Sequence, residues 1–179
     1  MFFIESERLK MIPLTHQLLQ LLHADRSAME LSLGLNISNM QIDPFYQNEV
    51  DDAMTNFWLP KTLEHPDAYM YTNWEIILKS SNTSIGCMGF AGEPNELGEA
   101  ETGYMIDQQH QKKGYATEAL QLLNGWAFAR EKVKAIIVHT YADNLPSRKI
   151  LVKCGFEEVA KDEKGLITFK LGKEVCLNS

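Results

Sequence analysis

The stretch Gln111-Lys112-Lys113-Gly114-Tyr115-Ala116-Thr117-Glu118-Ala119 is the most informative part of this chain. It follows a strand-like run at 101–106 and opens a segment whose apolar residues recur at helical spacing. A helix leaves its first backbone N–H groups without intrahelical acceptors, and its dipole attracts negative charge to that end. A glycine-containing turn that enters a helix after a strand therefore predicts a site for a phosphate or pyrophosphate group.

A second segment makes this prediction more specific. One glycine at a helix start also fits an ordinary strand–turn–helix corner, and neither G-x-G-x-x-G nor G-x-x-x-x-G-K-[ST] occurs in the chain. Downstream, however, Asn144-Leu145-Pro146-Ser147 is followed by Lys153-Cys154-Gly155-Phe156. The Gln-x-x-Gly-x-Ala turn and the Asn-x-x-Ser…Lys-x-Gly-Phe segment together resemble the motifs of the GNAT acetyltransferases. They are most similar to the branch that acetylates the N-termini of ribosomal proteins, together with its small-molecule relatives. The resemblance covers about residues 1–172, with its specific motifs within 99–156.

The order of the predicted elements gives the fold class. Hydrophobic periodicity and turn residues predict, in chain order, a strand at 6–13, helices at 15–26 and about 46–63, strands at 71–79, 83–91 and 99–107, a helix at 114–130, a strand at 134–141, a helix at 144–154, and strands at 156–160 and 166–171. This order predicts an α/β (α+β) fold with one mixed, mostly antiparallel sheet of about seven strands and helices on both faces. The resemblance implies the GNAT fold, in which two central parallel strands splay apart. We expect residues 1–179 to form a single N-acetyltransferase domain with its motif-bearing core at 99–156.

Composition excludes several classes of protein. The 179 residues carry a net charge of −7, with a sequence pI of about 5.2, which argues against a general nucleic-acid binder. Neither the three cysteines nor the five histidines show metal-ligand spacing, and no apolar run approaches the length of a membrane span. Because no signal-peptide core follows Met1, we expect a cytoplasmic protein. We also expect a monomer or homodimer with no metal, membrane or nucleic-acid partner.

The resemblance implies acetyl-coenzyme A as co-substrate and indicates which residues hold it. Met105 and Ile106 would offer main-chain N–H and C=O groups to the pantetheine arm, and Asn144 would bond the arm from the other side. The pyrophosphate would lie on the turn formed by Gln111, Lys112, Lys113, Gly114, Tyr115, Ala116 and Thr117. The two lysine side chains are equally well explained as solvated turn residues.

Acetyl transfer to an amine requires a neutral nucleophile. At pH 7, deprotonating an ordinary lysine ammonium costs about 4.6 kcal/mol, whereas an α-amine costs about 1.4 kcal/mol and needs less help from a base. We expect Glu101 to be that base, directly or through water, because it shares a strand face with Gly103 and Met105, where glycine leaves room for a substrate. The alternative is that Glu101 and Glu99 are solvent-facing charges on a half-exposed strand.

The leaving thiolate needs a hydrogen-bond donor, and here the chain departs from the family pattern. Many members carry a tyrosine seven residues after the asparagine, but this chain has Leu151 there. Ser147 takes the position of a serine proposed to donate to the sulfur in the ribosomal branch, although its place also suits capping of the helix. Tyr141 is a less favoured acid, and His139 in its apolar run is more typical of a core histidine.

The predicted activity is transfer of the acetyl group of acetyl-coenzyme A to a primary amine by direct attack in a ternary complex. The acceptor would be a protein N-terminus or a small-molecule amine, and an acidic protein suits a cationic acceptor. The alternative is a non-catalytic acyl-coenzyme A binding or sensor domain, which Leu151 favours. A structural domain without ligand would require both motif segments to be accidental.

Overall fold

Eight strands form one mixed sheet in the computed structural model, which describes residues 1–176 apart from the side chains of Phe45, Val175 and Cys176. The strand order across the sheet is β1-β2-β3-β4-β5-β6-β8-β7. Their bounds are β1 Ile4–Glu5, β2 Leu9–Pro13, β3 Asn73–Leu78, β4 Thr83–Phe90, β5 Glu99–Ile106, β6 Ala135–Tyr141, β7 Glu157–Lys161 and β8 Leu166–Gly172. The predicted α/β fold with a mostly antiparallel sheet is confirmed, with eight strands rather than about seven.

The extra strand arises near the N-terminus. The strand predicted at 6–13 begins only at Leu9, as β2, because residues 6–8 form a turn in which Ser6 N donates to Leu9 O at 2.9 Å; β1, at Ile4–Glu5, precedes this turn and was not predicted. The same turn carries Arg8, whose side chain reaches the segment before α5.

Helices cover both faces of the sheet, as predicted. They are α1 His16–Ala24, α2 Arg26–Ser32, α3 Pro44–Ala53, a π-helix Met54–Trp58, α4 Leu59–Glu64, 3₁₀ turns Pro66–Tyr71 and Gln108–His110, α5 Tyr115–Phe128, α6 Leu145–Lys153 and α7 Lys173–Cys176. On one face, α5 and α6 bury Leu120, Leu123 and Leu151 against strand residues in the main core. The opposite face carries a smaller core from α1, α2 and the π-helix. Within residues 1–176, no helix is both long and apolar enough to cross a bilayer.

The helix predicted at 46–63 is interrupted by the π-helix. Leu59 N donates to Met54 O, five residues back, and Pro60 has no N–H to continue the α-helical ladder. The insertion places Phe57 and Trp58 over the sheet, where the Trp58 indole N–H donates to Phe90 O at 3.2 Å.

The central strands β5 and β6 splay apart, as the resemblance implied. They are the parallel pair in the sheet, and their pairing is confined to Glu99–Glu101 against Ala135–Ile137. Beyond Glu101, β5 continues to Ile106 while paired only with β4. The remainder of this strand edge therefore opens a gap at the centre of the sheet.

Candidate active site

The turn before α5 carries a row of unpaired backbone amides. Gly114 is the N-cap of this 14-residue helix, and its φ of 83° lies in the left-handed region that glycine occupies at little cost. Lys112 is also left-handed, with φ of 61°. Within the described part of the chain, no backbone N–H of residues 112–117 donates a hydrogen bond. The predicted anion site thus has the required donors at the positive end of a long helix.

Arg8, which the sequence analysis did not single out, contacts residues on both sides of Gly114. Its guanidinium forms an ion pair with Glu118 at 2.5 Å, donates to Lys113 O at 3.1 Å and lies 4.7 Å from the centre of the Tyr115 ring. Partial burial by itself raises the pKa of Glu118, but hydrogen bonds from Ser6 and Arg8 outweigh it and hold that pKa below its usual value. The N-terminal segment therefore fixes the position of the turn.

A groove of about 760 Å³, which we call the turn groove, runs along these amides. Ten of the eleven predicted cofactor-binding residues line it: Met105, Ile106, Gln111, Lys112, Gly114, Tyr115, Ala116, Thr117, Asn144 and Ser147. Lys113 does not, because its Nζ donates to Gln109 O at 2.8 Å. Lys149 on α6 also lines the groove and adds a positive charge that the sequence analysis missed.

The hydrogen bonds of β5 show that the main-chain groups expected of Met105 point elsewhere. Asp107 N donates to Ile85 O and Ala91 N donates to Glu101 O, so by alternation the odd-numbered residues of β5 direct their main-chain groups toward β4. Met105 is among them, so its N–H and C=O do not face the gap. Tyr104 and Ile106 face it instead, and the Ile106 carbonyl accepts from Gln111 Nε2 at 3.0 Å. The turn glutamine thus closes the end of the strand rather than leaving its amide free.

Ser147 does not cap α6 with its hydroxyl. Asn144 is the N-cap, and its Oδ1 accepts from Ser147 N at 3.2 Å. The Ser147 Oγ instead shares a hydrogen bond of 2.9 Å with the phenol of Tyr104. Burial raises the pKa of Tyr104 to about 12, so its proton stays in place at neutral pH. A phenol from β5 therefore accompanies Ser147, while Leu151 is fully buried in the core.

A second cavity, of about 610 Å³, lies on the sheet face covered by α3 and the π-helix. Three carboxylates line it, Glu49, Asp52 and Glu101, and no lysine or arginine does so among the described residues. Partial burial raises the pKa of Glu49. We call this cavity the acidic pocket, and its charge favours a cationic guest.

Glu101 and His139 stand together in the acidic pocket. The His139 Nε2 lies 3.9 Å from Glu101 Oε2, and its Nδ1 lies 3.1 Å from Thr168 Oγ1. The expectation of a core histidine is wrong, because this face of β6 borders the cavity and the imidazole is exposed. Glu99 is outside the pocket, and its hydrogen bond from Lys170 at 2.7 Å lowers its pKa.

The two cavities meet in the gap between β5 and β6. They share Tyr46, Tyr104, Met105 and Asn144, and Asn144 Nδ2 donates to the Tyr46 hydroxyl at 2.9 Å. A guest in the acidic pocket and a guest in the turn groove would therefore meet beside the Tyr104–Ser147 pair. This is the geometry that transfer between two bound molecules requires.

The acetyltransferase (GNAT) domain family matches residues 8–157 of the chain. The chain belongs to this family. The GNAT motif turn is the turn of unpaired amides, and the GNAT asparagine–serine segment is the start of α6. The family match and the N-acetyltransferase names of relatives support acetyl transfer as the general chemistry.

Relatives and solved structures agree with the GNAT assignment. "Uncharacterized N-acetyltransferase YjdG" of Bacillus subtilis is 41% identical over 86 residues, which is 48% of this chain and 51% of that protein, so the match spans about half of the relative's length. A GNAT-family acetyltransferase from Bacillus anthracis is 20% identical with a TM-score of 0.66, over 97% of this chain and 99% of that one. RimL, described as a ribosomal L7/L12 alpha-N-protein acetyltransferase in complex with coenzyme A, is 16% identical with a TM-score of 0.65, over 96% and 98% of the two chains. At these identities the solved structures show the shared fold.

No metal ion is suggested by the arrangement of side chains. Among the described residues, no three histidine, cysteine, aspartate or glutamate side chains are grouped so that they could hold one. The buried Cys87, which lines the acidic pocket, has its pKa raised by burial to about 12 and stays a thiol at neutral pH.

Proposed function

We propose that this protein is an N-acetyltransferase that moves the acetyl group of acetyl-coenzyme A to a cationic primary amine in a ternary complex. The observation that carries the proposal is the junction at Tyr104 and Asn144 between a groove lined by unpaired amides and a pocket lined by carboxylates. Neither cavity alone would indicate a transferase, but together they give a donor site and an acceptor site that meet.

The turn groove fits the donor. Pyrophosphate oxygens need several convergent N–H donors, and the amides of residues 112–117 are free to supply them, with Lys112 and Lys149 adding positive charge. The main-chain groups of Tyr104, which face the gap, suit an arm rich in amide groups. When bound, acetyl-coenzyme A supplies an activated thioester as the source of the acetyl group.

The acidic pocket fits an ammonium that must lose its proton before attack. Glu101 is the proposed base, because its carboxylate lines the pocket and a proton can pass to it directly or through water. His139, 3.9 Å away, is placed to stabilise the carboxylate or to share the proton. The energy required is smallest for an α-amine, which keeps a protein N-terminus among the acceptor candidates.

The Tyr104–Ser147 pair is the proposed donor to the leaving sulfur. Ser147 lines the turn groove at the start of α6, and the phenol behind it holds a proton that it can release through the serine hydroxyl. The pair takes over the task that the family assigns to a tyrosine at the position of Leu151. The start of α6 also stabilises negative charge on the sulfur.

The test is release of coenzyme A thiol in the presence of acetyl-coenzyme A and a panel of peptides, polyamines and aminoglycosides, with donor affinity measured by calorimetry. We expect micromolar to millimolar donor binding and turnover on at least one cationic acceptor, lost in a Tyr104→Phe, Glu101→Gln double variant. Binding of acetyl-coenzyme A without turnover on any acceptor would favour a non-catalytic acyl-coenzyme A sensor. Absence of binding would contradict both.

A further inference from the structure

A buried carboxamide without partners lies on the floor of the acidic pocket. Asn73, the first residue of β3, is 1% exposed, and neither its Nδ2 nor its Oδ1 has a hydrogen-bond partner among the described residues. It lines the pocket together with the carboxylates. A buried polar group without a hydrogen-bond partner is destabilising, and the described residues provide no partner for this side chain.

A row of small residues connects Asn73 with the strand that carries Glu101. Asn73 pairs with Gly89 on β4, and Gly89 pairs with Gly103 on β5, so the three residues share a row across the sheet. A Cβ at Gly103 would meet no atom within 4 Å, which means that the space above it is open. Strands lie about 4.8 Å apart, so the row from Gly103 to Asn73 spans about 10 Å. At Gly89, in the middle of the row, the main chain of Thr72 occupies the place that a Cβ would take.

The chemistry of the carboxamide defines the guest that would satisfy it. It offers N–H donors and a carbonyl acceptor side by side, which match the C=O and N–H of an amide group. A polyamine offers donors only and would leave the Asn73 Nδ2 unpaired. A site with a buried polar group discriminates strongly against guests that leave it unpaired.

We propose that Asn73 is a specificity-determining residue that binds an amide group of the acceptor, so that the enzyme prefers amide-bearing amines to polyamines. This inference rests on the proposed N-acetyltransferase function. The amine lies near Glu101 and the chain of the acceptor crosses Gly103 and Gly89 toward Asn73. An extended peptide advances about 3.3–3.6 Å per residue, so about 10 Å corresponds to the third residue of a peptide. The amide therefore comes from a peptide of three or more residues or from a small amine with an amide at a similar distance.

The experiment compares kcat/KM for a tetrapeptide amide, a dipeptide amide, a small diamine extended by one amide, and spermidine, in the wild type and in Asn73→Leu. We expect Asn73→Leu to raise the KM of the tetrapeptide about tenfold, while kcat/KM for spermidine stays the same or rises. The amide-extended diamine separates a peptide from a small amide-bearing amine as the acceptor. Its kcat/KM falls together with that of the tetrapeptide in Asn73→Leu only when the amide alone is recognised.

Asn124→Leu is the matched control. Asn124 on α5 is 2% exposed with an unpartnered Oδ1, but it lines neither cavity. A general effect of removing a buried amide would appear in both variants, whereas recognition appears only in Asn73→Leu.

Gly103→Val tests the same row of residues without altering a buried side chain, since the added side chain enters open space. We expect it to weaken the tetrapeptide more than spermidine, with an unchanged melting temperature. If the ratio of kcat/KM for the tetrapeptide to kcat/KM for spermidine is the same in the wild type, Asn73→Leu and Gly103→Val, the role of Asn73 is overturned while N-acetyl transfer stands. A wild type that acetylates none of the four probes would contradict the proposed function itself.

Discussion

The turn groove and the acidic pocket meet at the same residues but are built differently. The groove comes mainly from two short segments, 105–117 and 144–150, and its principal donors are backbone amides. The pocket is lined by residues from α3, the π-helix and five strands. A site made of backbone in one turn is encoded locally, whereas a site made of distant side chains depends on how the sheet and helices pack. The predictions below test that difference, from the largest expected effect to the smallest.

Tyr104 at the junction should show the largest effect. Tyr104→Phe removes the phenol that supports Ser147, so we expect kcat to fall about 100-fold while the affinity for acetyl-coenzyme A is unchanged. Steady-state kinetics and calorimetry measure the two quantities separately.

Two further variants sharpen this assignment. Ser147→Ala should lower kcat about tenfold with little change in donor affinity, because the phenol remains nearby. Tyr141→Phe is the comparison for a second phenol at the pocket, and a larger loss there than in Tyr104→Phe would transfer the role of acid to Tyr141.

The turn groove should be sensitive to backbone geometry at Gly114. Gly114→Ala forces a side chain into a left-handed conformation at a cost of about 1–2 kcal/mol, so the turn shifts and donor affinity should fall about tenfold. Gly165→Ala is the control, since Gly165 has φ of 85° in open space and does not line either cavity. If both variants bind acetyl-coenzyme A as the wild type does, the turn does not hold the pyrophosphate.

The acidic pocket should respond to the charge of Glu101 rather than to backbone. Glu101→Gln should lower kcat/KM for a cationic acceptor about fivefold to tenfold at pH 7, with donor affinity preserved. Glu99→Gln, two residues earlier and bonded to Lys170, should change the rate by less than about twofold. An equal loss in the two variants would mean that the pocket acts only through overall charge.

The smallest effect concerns the support of the turn by Arg8 and Glu118. The pKa of Glu118 is depressed in the folded state, so its contribution to stability is complete above the unfolded value of about 4.3 and is lost as pH falls through the folded pKa. Glu118→Gln should therefore cost about 1 kcal/mol or less at pH 7 and a smaller amount at pH 3. Thermal melting of the wild type and the variant at the two pH values measures this change in stability. Glu5→Gln, which removes the exposed ion pair with Lys79, should destabilise the protein less at pH 7.

Much of the fold followed from local pattern. The strands and helices that carry the motif segments were predicted to within one or two residues, because their apolar periodicity is strong and their ends carry Gly, Asn or Thr. Thr15 caps α1, with its side chain accepting from Leu18 N. The helix Arg26–Ser32 was missed because its pattern is mixed, and the π-helix was missed because a single proline signals an interruption without giving its form.

The candidate site was predicted unequally, for the same reason. Gly114 and its neighbours stand out in the sequence as a glycine turn before an amphipathic helix. Tyr104, His139 and Asn73 do not, because one tyrosine, one histidine and one asparagine in strands resemble ordinary core or surface residues. Their positions at the cavities appear only when the register of the sheet shows which face each residue occupies and what lies opposite.

The sequence by itself determined the GNAT class, the glycine turn before α5 and the helix start at Asn144, because each depends on residues adjacent along the chain and on the hydrogen-bond geometry of a single turn. The tertiary structure decided that Ser147 faces Tyr104, that Arg8 supports the turn, and that Glu101, His139 and Asn73 share one cavity. These contacts join segments far apart in sequence, and a shift of one residue in strand register would move each side chain to the other face of the sheet.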